Sequence, residues 1–207
     1  MTGNFSNQEN SKNIDKDSIV KASLELLNQE GIKKLTMRKV AERLEIKGAS
    51  LYWHFKNKME LMTYMAEEIS KQIPFPDEKL PWEEQLIQLF HQMRSVLLTI
   101  RDSAHILVET PPSTPHRLKS IQKFSDIFMK LGFDKEDIFS VSWMLNNYVS
   151  AFVIEEYRFI DVKRLKTDSP ISNKKENGLP FELSIPNMDK EFQFGLEVLI
   201  AGIKSKL

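Results

Sequence analysis

The sequence predicts an all-α protein in which a three-helix helix-turn-helix head precedes a larger helical body. Apolar residues recur at helical spacing in every patterned segment, and no stretch alternates with the period of a β-strand. Proline and glycine fall mainly between these segments, where they end helices. We therefore expect a flexible polar arm over residues 1–14, a head over residues 15–73 and a body over residues 74–207.

The head contains four predicted helices, of which the second and third are short. Gly31 follows the first apolar pattern as a stop, and Thr36 is a favourable N-cap for the second helix. Asn57 caps the fourth helix, Glu60 completes a capping box with it, and Pro74 ends the helix. The predicted helices are residues 15–30, 36–44, 48–55 and 57–73, with a tight turn over residues 45–47.

The body pattern predicts longer helices. Pro81 stands in the first turn of one helix, Gly132 ends another, and Asp134 caps a long apolar one. Residues 161–186 are mostly polar and include Pro170, which disfavours a helix, so this stretch predicts a loop. The predicted body helices are residues 82–99, 102–108, 114–132, 135–159 and 188–206.

Composition excludes several classes of protein. The chain has no cysteine, which excludes disulfides, thiol catalysis and cysteine-bound metals. Its longest apolar runs, residues 149–154 and 198–203, are far shorter than the roughly 20 residues of a membrane-spanning helix. No nucleophile motif, phosphate-binding glycine loop or metal-ligand spacing is present. We expect a cytoplasmic protein with no catalytic residues, no metal, no cofactor and no membrane partner.

Charge is distributed unevenly, although the formal net charge is zero. Residues 31–58 carry eight basic residues against two acidic ones, so the rest of the chain is mildly acidic. An ordinary solvated face usually mixes the two signs. This segment therefore favours contact with a polyanion.

The same segment has the layout of a DNA-reading motif. Two short helices joined by a tight turn can place the second helix in the major groove of DNA. That helix begins with small residues, which allow close approach, and Tyr52, Trp53 and His54 offer large surfaces with polar tips. Lysines surround it, Lys56 among them. The candidate DNA-binding residues are Thr36, Arg38, Lys47, Gly48, Ala49, Ser50, Tyr52, Trp53, His54 and Lys58.

The aromatic residues of this helix have a second interpretation as members of the core. Leu51 and Phe55, four residues apart on one helix face, are expected to pack inward. Tyr52 and His54 are flanked by lysines and favour a DNA contact. Trp53 fits either role.

Two motifs bracket the predicted turn. Residues 35–41 read LTMRKVA and residues 51–58 read LYWHFKNK. This pair resembles the signature of the TetR family of bacterial repressors, and residues 131–133, 154–156 and 194–202 resemble the body helices of its tetracycline repressor branch. The resemblance implies a homodimer on palindromic operator DNA, with the last two helices of each subunit in a four-helix bundle and a small effector in the body.

The resemblance fails at the metal site of that branch. The branch binds tetracycline as a magnesium chelate through a histidine, and Leu107 stands at that position here. Pro74, Leu89 and Met93 stand where the branch has polar drug contacts. Magnesium requires several oxygen ligands. We therefore expect a small, largely apolar effector other than tetracycline–magnesium.

A candidate pocket combines an apolar wall with a few polar groups, as small-molecule sites do. The same apolar stripe is also typical of a helical core. A body that docks a protein partner and binds no small ligand is an alternative. An enzyme that uses the carboxylates of residues 155 and 156 is disfavoured, because adjacent helical side chains point about 100° apart. The candidate pocket residues are Phe90, Met93, Leu107, Thr110, Trp143, Asn146, Asn147 and Glu155.

Overall fold

In the computed structural model the chain is described over residues 14–165 and 187–207, with side chains described for residues 14–160 and 187–207. Every element in these ranges is helical, which confirms the predicted fold class. Residues 1–13 of the expected arm lie outside the described residues. The elements are α1 (Lys16–Glu30), a 3₁₀ turn (Ile32–Lys34), α2 (Met37–Arg43), α3 (Gly48–His54), α4 (Lys58–Lys71), α5 (Trp82–Thr99), α6 (Ser103–Glu109), α7 (Pro115–Lys130), α8 (Lys135–Leu165) and α9 (Met188–Lys204).

A buried apolar layer joins α1 to α4, which we call the head. Leu27 of α1, Val40 of α2, Leu51 of α3 and Met65 of α4 are fully buried in one cluster. Each helix turns a single apolar face inward, as an amphipathic pattern requires. The head is therefore held together mainly by apolar burial.

Helices α5 to α9, which we call the body, pack around a core that is rich in aromatic side chains. Phe90 of α5 meets Phe124 of α7 edge to face at a centroid distance of 6.0 Å, and Phe124 lies 4.9 Å from Phe128. Leu145 and Val149 of α8 are fully buried in the same cluster. Because this cluster is continuous with the head core, head and body share packing.

The helix caps follow the sequence signals with one exception. Thr36 Oγ1 accepts the Lys39 N–H at 3.2 Å, and Asn57 Oδ1 accepts the Glu60 N–H at 2.9 Å. The capping box predicted for Glu60 is wrong, because its carboxylate accepts the Lys56 N–H at 2.7 Å. The backbone at Asn57 is extended, with φ −161° and ψ 174°, and the carboxylate reaches past it to the preceding residue.

The end of α8 also differs from the prediction. The helix continues to Leu165, whereas the pattern predicts a loop from residue 161. The final residues read DVKRL and contain neither glycine nor proline, and most of them are compatible with a helix. Polar composition alone therefore does not end this helix. Residues 166–186 of the predicted loop lie outside the described residues.

Two hydrogen bonds join the start of α6 to the end of α1. Asp102 Oδ2 accepts the Ile32 N–H at 2.7 Å, and Asn28 Oδ1 accepts the Arg101 N–H at 3.0 Å. Gly31 has φ +80°, and a Cβ built there would lie 2.9 Å from Asp102 Oδ2. Glycine therefore permits both the backbone conformation and the close approach of α6 at this position.

An aromatic stack and a close approach hold α9 on the body. Tyr148 of α8 stacks on Phe192 of α9 at a centroid distance of 5.6 Å and donates its hydroxyl hydrogen to the Phe192 carbonyl oxygen at 2.8 Å. A Cβ at Gly195 would lie 2.8 Å from Tyr148 Cζ. The absence of a side chain at Gly195 therefore allows Tyr148 to reach α9.

We predict that Gly195→Ala lowers the free energy of unfolding by about 1–3 kcal/mol, because the new methyl group displaces the Tyr148 ring. Urea unfolding followed by circular dichroism measures this loss. In a Tyr148→Ala background the same substitution should be neutral or stabilising, because alanine favours a helix over glycine. An equal loss in both backgrounds would contradict the assigned contact.

Candidate nucleic-acid interface and effector body

The outer surface of α3 carries large exposed side chains. Leu51 and Phe55 are fully buried, which confirms their predicted inward face, whereas Tyr52 is 55 % exposed and Trp53 is 89 % exposed. Neither Tyr52 nor Trp53 is therefore a core residue. The other predicted DNA-binding residues are also accessible: Thr36, Arg38, Lys47, Gly48, Ala49 and Ser50 are exposed, and His54 and Lys58 are half-buried.

The cations of the head divide into paired and unpaired ones. Arg38, Lys39 and Arg43 each pair with a glutamate of the head. These pairs hold α1 and α2 together or lie along α2. Six lysines of the head have no ion-pair partner among the described residues: Lys21, Lys33, Lys34, Lys47, Lys56 and Lys58. The three nearest to α3 in the sequence are Lys47, Lys56 and Lys58. They flank both ends of α3 in the sequence, so their charge is free to contact a phosphate backbone.

The turn between α2 and α3 has a left-handed residue. Glu45 adopts φ +58°, and the Ile46 N–H that follows donates to the Ala41 carbonyl oxygen at 3.0 Å. This conformation costs a non-glycine residue about 1 kcal/mol. This conformation at Glu45 changes the chain direction between α2 and α3.

Phe55 anchors the end of α3 on α4. Its fully buried ring meets Tyr64 edge to face at a centroid distance of 5.5 Å. The Lys16 ammonium lies 5.2 Å from the Phe55 ring centroid and 4.7 Å from that of Tyr64. Packing and cation–π attraction therefore fix α3 to α1 and α4.

A polar corner lies where α4, α6 and α7 meet. Glu67 of α4 is 7 % exposed, and its carboxylate accepts the His116 N–H at 2.8 Å and the Arg117 N–H at 3.3 Å. Burial alone would raise the pKa of Glu67, but hydrogen bonds at the start of α7 outweigh it and lower the pKa. The carboxylate is therefore held in its charged form. Sequence reasoning missed Glu67, although its position between Ala66 and Ile69 on the buried side of α4 was an available signal.

The predicted pocket residues fall into two groups. Phe90, Met93 and Thr110 are buried in the body and Leu107 is half-buried, whereas Trp143 is 66 % exposed and Asn146, Asn147 and Glu155 are also exposed. Trp143 lies about 200° around the helix from Leu145, which packs inward. Within one subunit the structure therefore does not bring the two groups together.

The predicted polar anchors already have hydrogen-bond partners. Asn146 and Asn147 each donate to the carbonyl oxygen one turn earlier, at 2.9 Å and 2.8 Å. The Thr110 hydroxyl donates to the Ile106 carbonyl oxygen at 2.7 Å, and Glu155 pairs with Arg158 at 2.7 Å. A ligand that used these groups would have to exchange those bonds.

Two of the surface cavities of the described body lie at helices α6, α8 and α9. The larger, about 650 Å³, lies along the first turns of α9. The smaller, about 200 Å³, lies between α6 and α8 beside His105 and Tyr157. Neither is lined by a residue of the predicted pocket.

Helices α8 and α9 carry uncovered apolar side chains. Phe139 and Trp143 of α8 are 71 % and 66 % exposed, and Phe194 and Val198 of α9 are 65 % and 54 % exposed. Large apolar side chains in this number are unusual on a surface that faces only water. We call these four residues the apolar α8–α9 surface.

The described ranges 14–165 and 187–207 contain neither a metal-binding cluster nor a membrane-spanning helix. They hold no group of three histidine, aspartate or glutamate side chains arranged to bind a metal ion. None of their helices combines the length and apolar character needed to cross a membrane.

Comparison with known proteins assigns the family. Residues 19–65 match the model of the bacterial regulatory proteins of the tetR family, and residues 75–207 match the model of the tetracyclin repressor-like C-terminal domain. The tetracycline repressor protein class G of Vibrio anguillarum is 30 % identical over 198 residues, which cover 92 % of this chain and 94 % of that protein.

Solved structures agree with this assignment. ActR of Streptomyces coelicolor in complex with (S)-DNPA has a TM-score of 0.79 and 27 % identity, with 94 % of this chain and 98 % of that chain covered. A TetR variant from Acinetobacter baumannii AYE in complex with minocycline has a TM-score of 0.73 and 30 % identity, with 93 % and 94 % covered. The chain belongs to the TetR family of helix-turn-helix transcriptional regulators.

Proposed function

We propose that this regulator is a repressor that binds a palindromic operator as a homodimer and is released by a small, largely apolar effector other than tetracycline–magnesium. The observation that carries the proposal is the surface of α3, where Tyr52 and Trp53 stand exposed between unpaired lysines. Exposed aromatic groups favour association with a partner, and the positive charge of the flanking lysines favours a polyanion as that partner.

In this proposal each subunit places α3 in one major groove. The two α3 helices of a dimer then lie about 34–36 Å apart, or a multiple of this distance, so that both face the same side of the duplex. Tyr52, Trp53 and His54 contact bases or sugars, and Lys47, Lys56 and Lys58 contact phosphates. Base contacts give sequence preference, whereas phosphate contacts give affinity that depends on salt.

We predict that Tyr52→Ala with His54→Ala weakens operator binding by at least tenfold, because each lost contact to a base or sugar costs about 1–3 kcal/mol. Fluorescence anisotropy measures the change, with the palindromic duplex that the wild-type protein selects from a random library. Met129→Ala, which truncates an exposed side chain of α7, is the control. Unchanged affinity in a folded double variant would contradict the assigned interface.

Lys47→Ala tests the phosphate contacts separately. We expect affinity to fall equally on the selected duplex and on unrelated DNA. The slope of log K against log salt should fall by about 1.8 in magnitude, because the dimer loses one phosphate contact of about 0.9 from each subunit. Titrations at several salt concentrations measure the slope. Lys119→Ala on α7 makes the same change of charge in the body. An identical salt slope for Lys47→Ala and wild type would remove Lys47 from the interface.

The apolar α8–α9 surface supports the homodimer. Covering it with the same surface of a second copy removes four large side chains of each subunit from water. Full burial of one such side chain contributes about 1.5–3 kcal/mol, and these side chains, which are 54–71 % exposed, gain part of that. The pairing also brings Trp143 and its neighbours on α8 against the partner subunit. The outer group of pocket residues, Trp143, Asn146, Asn147 and Glu155, can then contribute to an effector site only across that contact.

We predict that Val198→Glu converts the dimer to monomers at micromolar concentration, because a charge would be buried in the interface without a partner. Sedimentation velocity measures the change. Leu118→Glu is a matched control, since Leu118 of α7 is 53 % exposed and Val198 is 54 % exposed. Equal effects of the two substitutions would argue against this interface.

The inner residues of the body support an apolar effector. Phe90, Met93 and Leu107 present apolar surface near the centre of the body, which favours an apolar ligand. Leu107 cannot bind a metal ion, and this supports an effector other than tetracycline–magnesium. The bound ligands of ActR and of the Acinetobacter TetR variant show that related bodies accept organic molecules.

One observation favours the alternative of a body that docks a protein. The surface cavities along α9 and between α6 and α8 are lined by neither Phe90 nor Met93. A screen of small apolar molecules distinguishes the two functions. A compound that raises the melting temperature and weakens binding to the selected duplex supports an effector, because it binds one of two states preferentially. Persistent failure of the screen to find such a compound supports the alternative.

A further inference from the structure

A carboxylate from the head caps a helix of the body. Helix α7 begins at Pro115 after Thr114, whose side chain forms no capping hydrogen bond. The N–H groups of His116 and Arg117 are instead accepted by Glu67 of α4. The first N–H groups of a helix have no partner within it, and a negative charge at this end is favourable. Glu67 therefore acts as an N-terminal cap supplied by another helix.

Arg117 extends the same contact to α6. Its Nη1 lies 3.2 Å from the Thr110 carbonyl oxygen, 2.8 Å from Thr110 Oγ1 and 3.1 Å from the Pro111 carbonyl oxygen. Its Nη2 donates to the Leu107 carbonyl oxygen at 3.1 Å. The Leu107 and Thr110 carbonyl groups lie at the end of α6, where carbonyl groups lack partners within the helix, and the Pro111 carbonyl also accepts the Ser113 N–H at 2.9 Å. One residue of α7 thus binds α4 through its backbone and α6 through its side chain.

Helix α4 carries this contact to the DNA-reading end of the head. Glu67 lies one turn from Tyr64, which packs against Phe55 at the end of α3. Asn57, which caps α4, is about 15 Å from Glu67 along the helix axis. A small rotation of α4 about Glu67 therefore moves the Asn57 end of α4, and α3 beside it, farther than it moves Glu67 itself.

We propose that Glu67 and Arg117 are positioning residues that hold the two α3 helices at operator spacing, through the first turn of α7. We call the contact from Glu67 to α7, and from Arg117 to α6, the α7 clasp. An effector that moves Leu107 or Thr110 must displace the Arg117 side chain, which is hydrogen-bonded to both. Because the Arg117 N–H donates to Glu67, a shift of Arg117 also moves Glu67 and thus α4. The inference rests on the proposed function, since it assigns the clasp a role in operator binding.

Glu67→Gln tests the clasp, with Glu68→Gln as the control. Both substitutions remove one negative charge from adjacent positions of α4, but Glu68 pairs with Lys71 of its own helix. Amide hydrogen exchange is the first readout. We expect exchange of the His116 and Arg117 N–H groups to accelerate about fivefold in Glu67→Gln, because a hydrogen bond to a charged acceptor is weakened. Glu68→Gln should leave this exchange at the wild-type rate.

The distance between the two heads of the dimer is the second readout. The chain has no cysteine, so a spin label attached through Met59→Cys, an exposed position in the first turn of α4, is specific. Pulsed electron paramagnetic resonance measures the distance between the labels of the two subunits, and its distribution should be broader in Glu67→Gln than in Glu68→Gln. Affinity for the selected duplex should fall about tenfold, because two heads of variable spacing bind together less often. The salt slope should stay unchanged, since no phosphate contact is lost.

Arg117→Lys is the second variant and serves if Glu67→Gln does not fold. Lysine keeps the charge but cannot span the carbonyl groups that the guanidinium reaches. We expect the same broadening of the label distances. Exchange rates and distances equal to those of Glu68→Gln would overturn the inference. If exchange and distances respond but the wild-type protein selects no duplex, the clasp stands as a structural contact while the proposed function and its role in operator binding fail.

Discussion

The burial of Phe55 against α4 is the contact on which the DNA-reading surface depends. Removing the ring from water contributes about 1.5–3 kcal/mol, and its edge contact with Tyr64 adds about 0.5–1.5 kcal/mol. Together with Leu51, it fixes the rotation of α3 about its own axis. Because successive helical residues are about 100° apart, burying residues 51 and 55 leaves Tyr52 and Trp53 exposed. The same apolar contact that stabilises the head therefore selects the side chains that stand on the outer face of α3, where the proposed DNA contacts are made.

Helix α4 belongs to both parts of the molecule. Its apolar residues complete the head core, and that core continues into the body without a break. Two polar contacts supplement this packing, since Asp102 of the body accepts a hydrogen bond from Ile32 and Glu67 of the head caps α7. Apolar packing tolerates small sliding movements, whereas these hydrogen bonds have defined geometry. Their arrangement, rather than the packed area alone, sets how the head is oriented on the body.

Local patterns in the sequence predict much of this structure. The spacing of Leu51 and Phe55 and the caps at Thr36 and Asn57 are local signals, and the structure bears them out. The direction in which Trp143 points was not predictable in the same way, because an apolar residue on a helix suits a core and a subunit interface equally. The role of Glu67 lies further from local reasoning, since its partner, His116, is 49 residues away. Periodicity identifies faces, but only tertiary packing decides what each face meets.

A second polar network holds the other side of the body. Arg94 of α5 forms two hydrogen bonds with Glu156 of α8, at 2.8 Å and 2.6 Å, and one with Asp189 of α9 at 2.7 Å. Burying such a pair costs desolvation energy that its attraction only partly offsets, so its main contribution is to specify how α9 lies on the body. Two of the inner residues of the predicted pocket adjoin these networks. Met93 directly precedes Arg94 in the sequence, and the Thr110 hydroxyl accepts a hydrogen bond from Arg117. A ligand that repacks these residues would therefore act on α8 and α9, the helices of the proposed dimer contact, through Arg94, and on the head through Arg117. In the proposed function, effector binding is thereby linked to the geometry of the dimer from both sides.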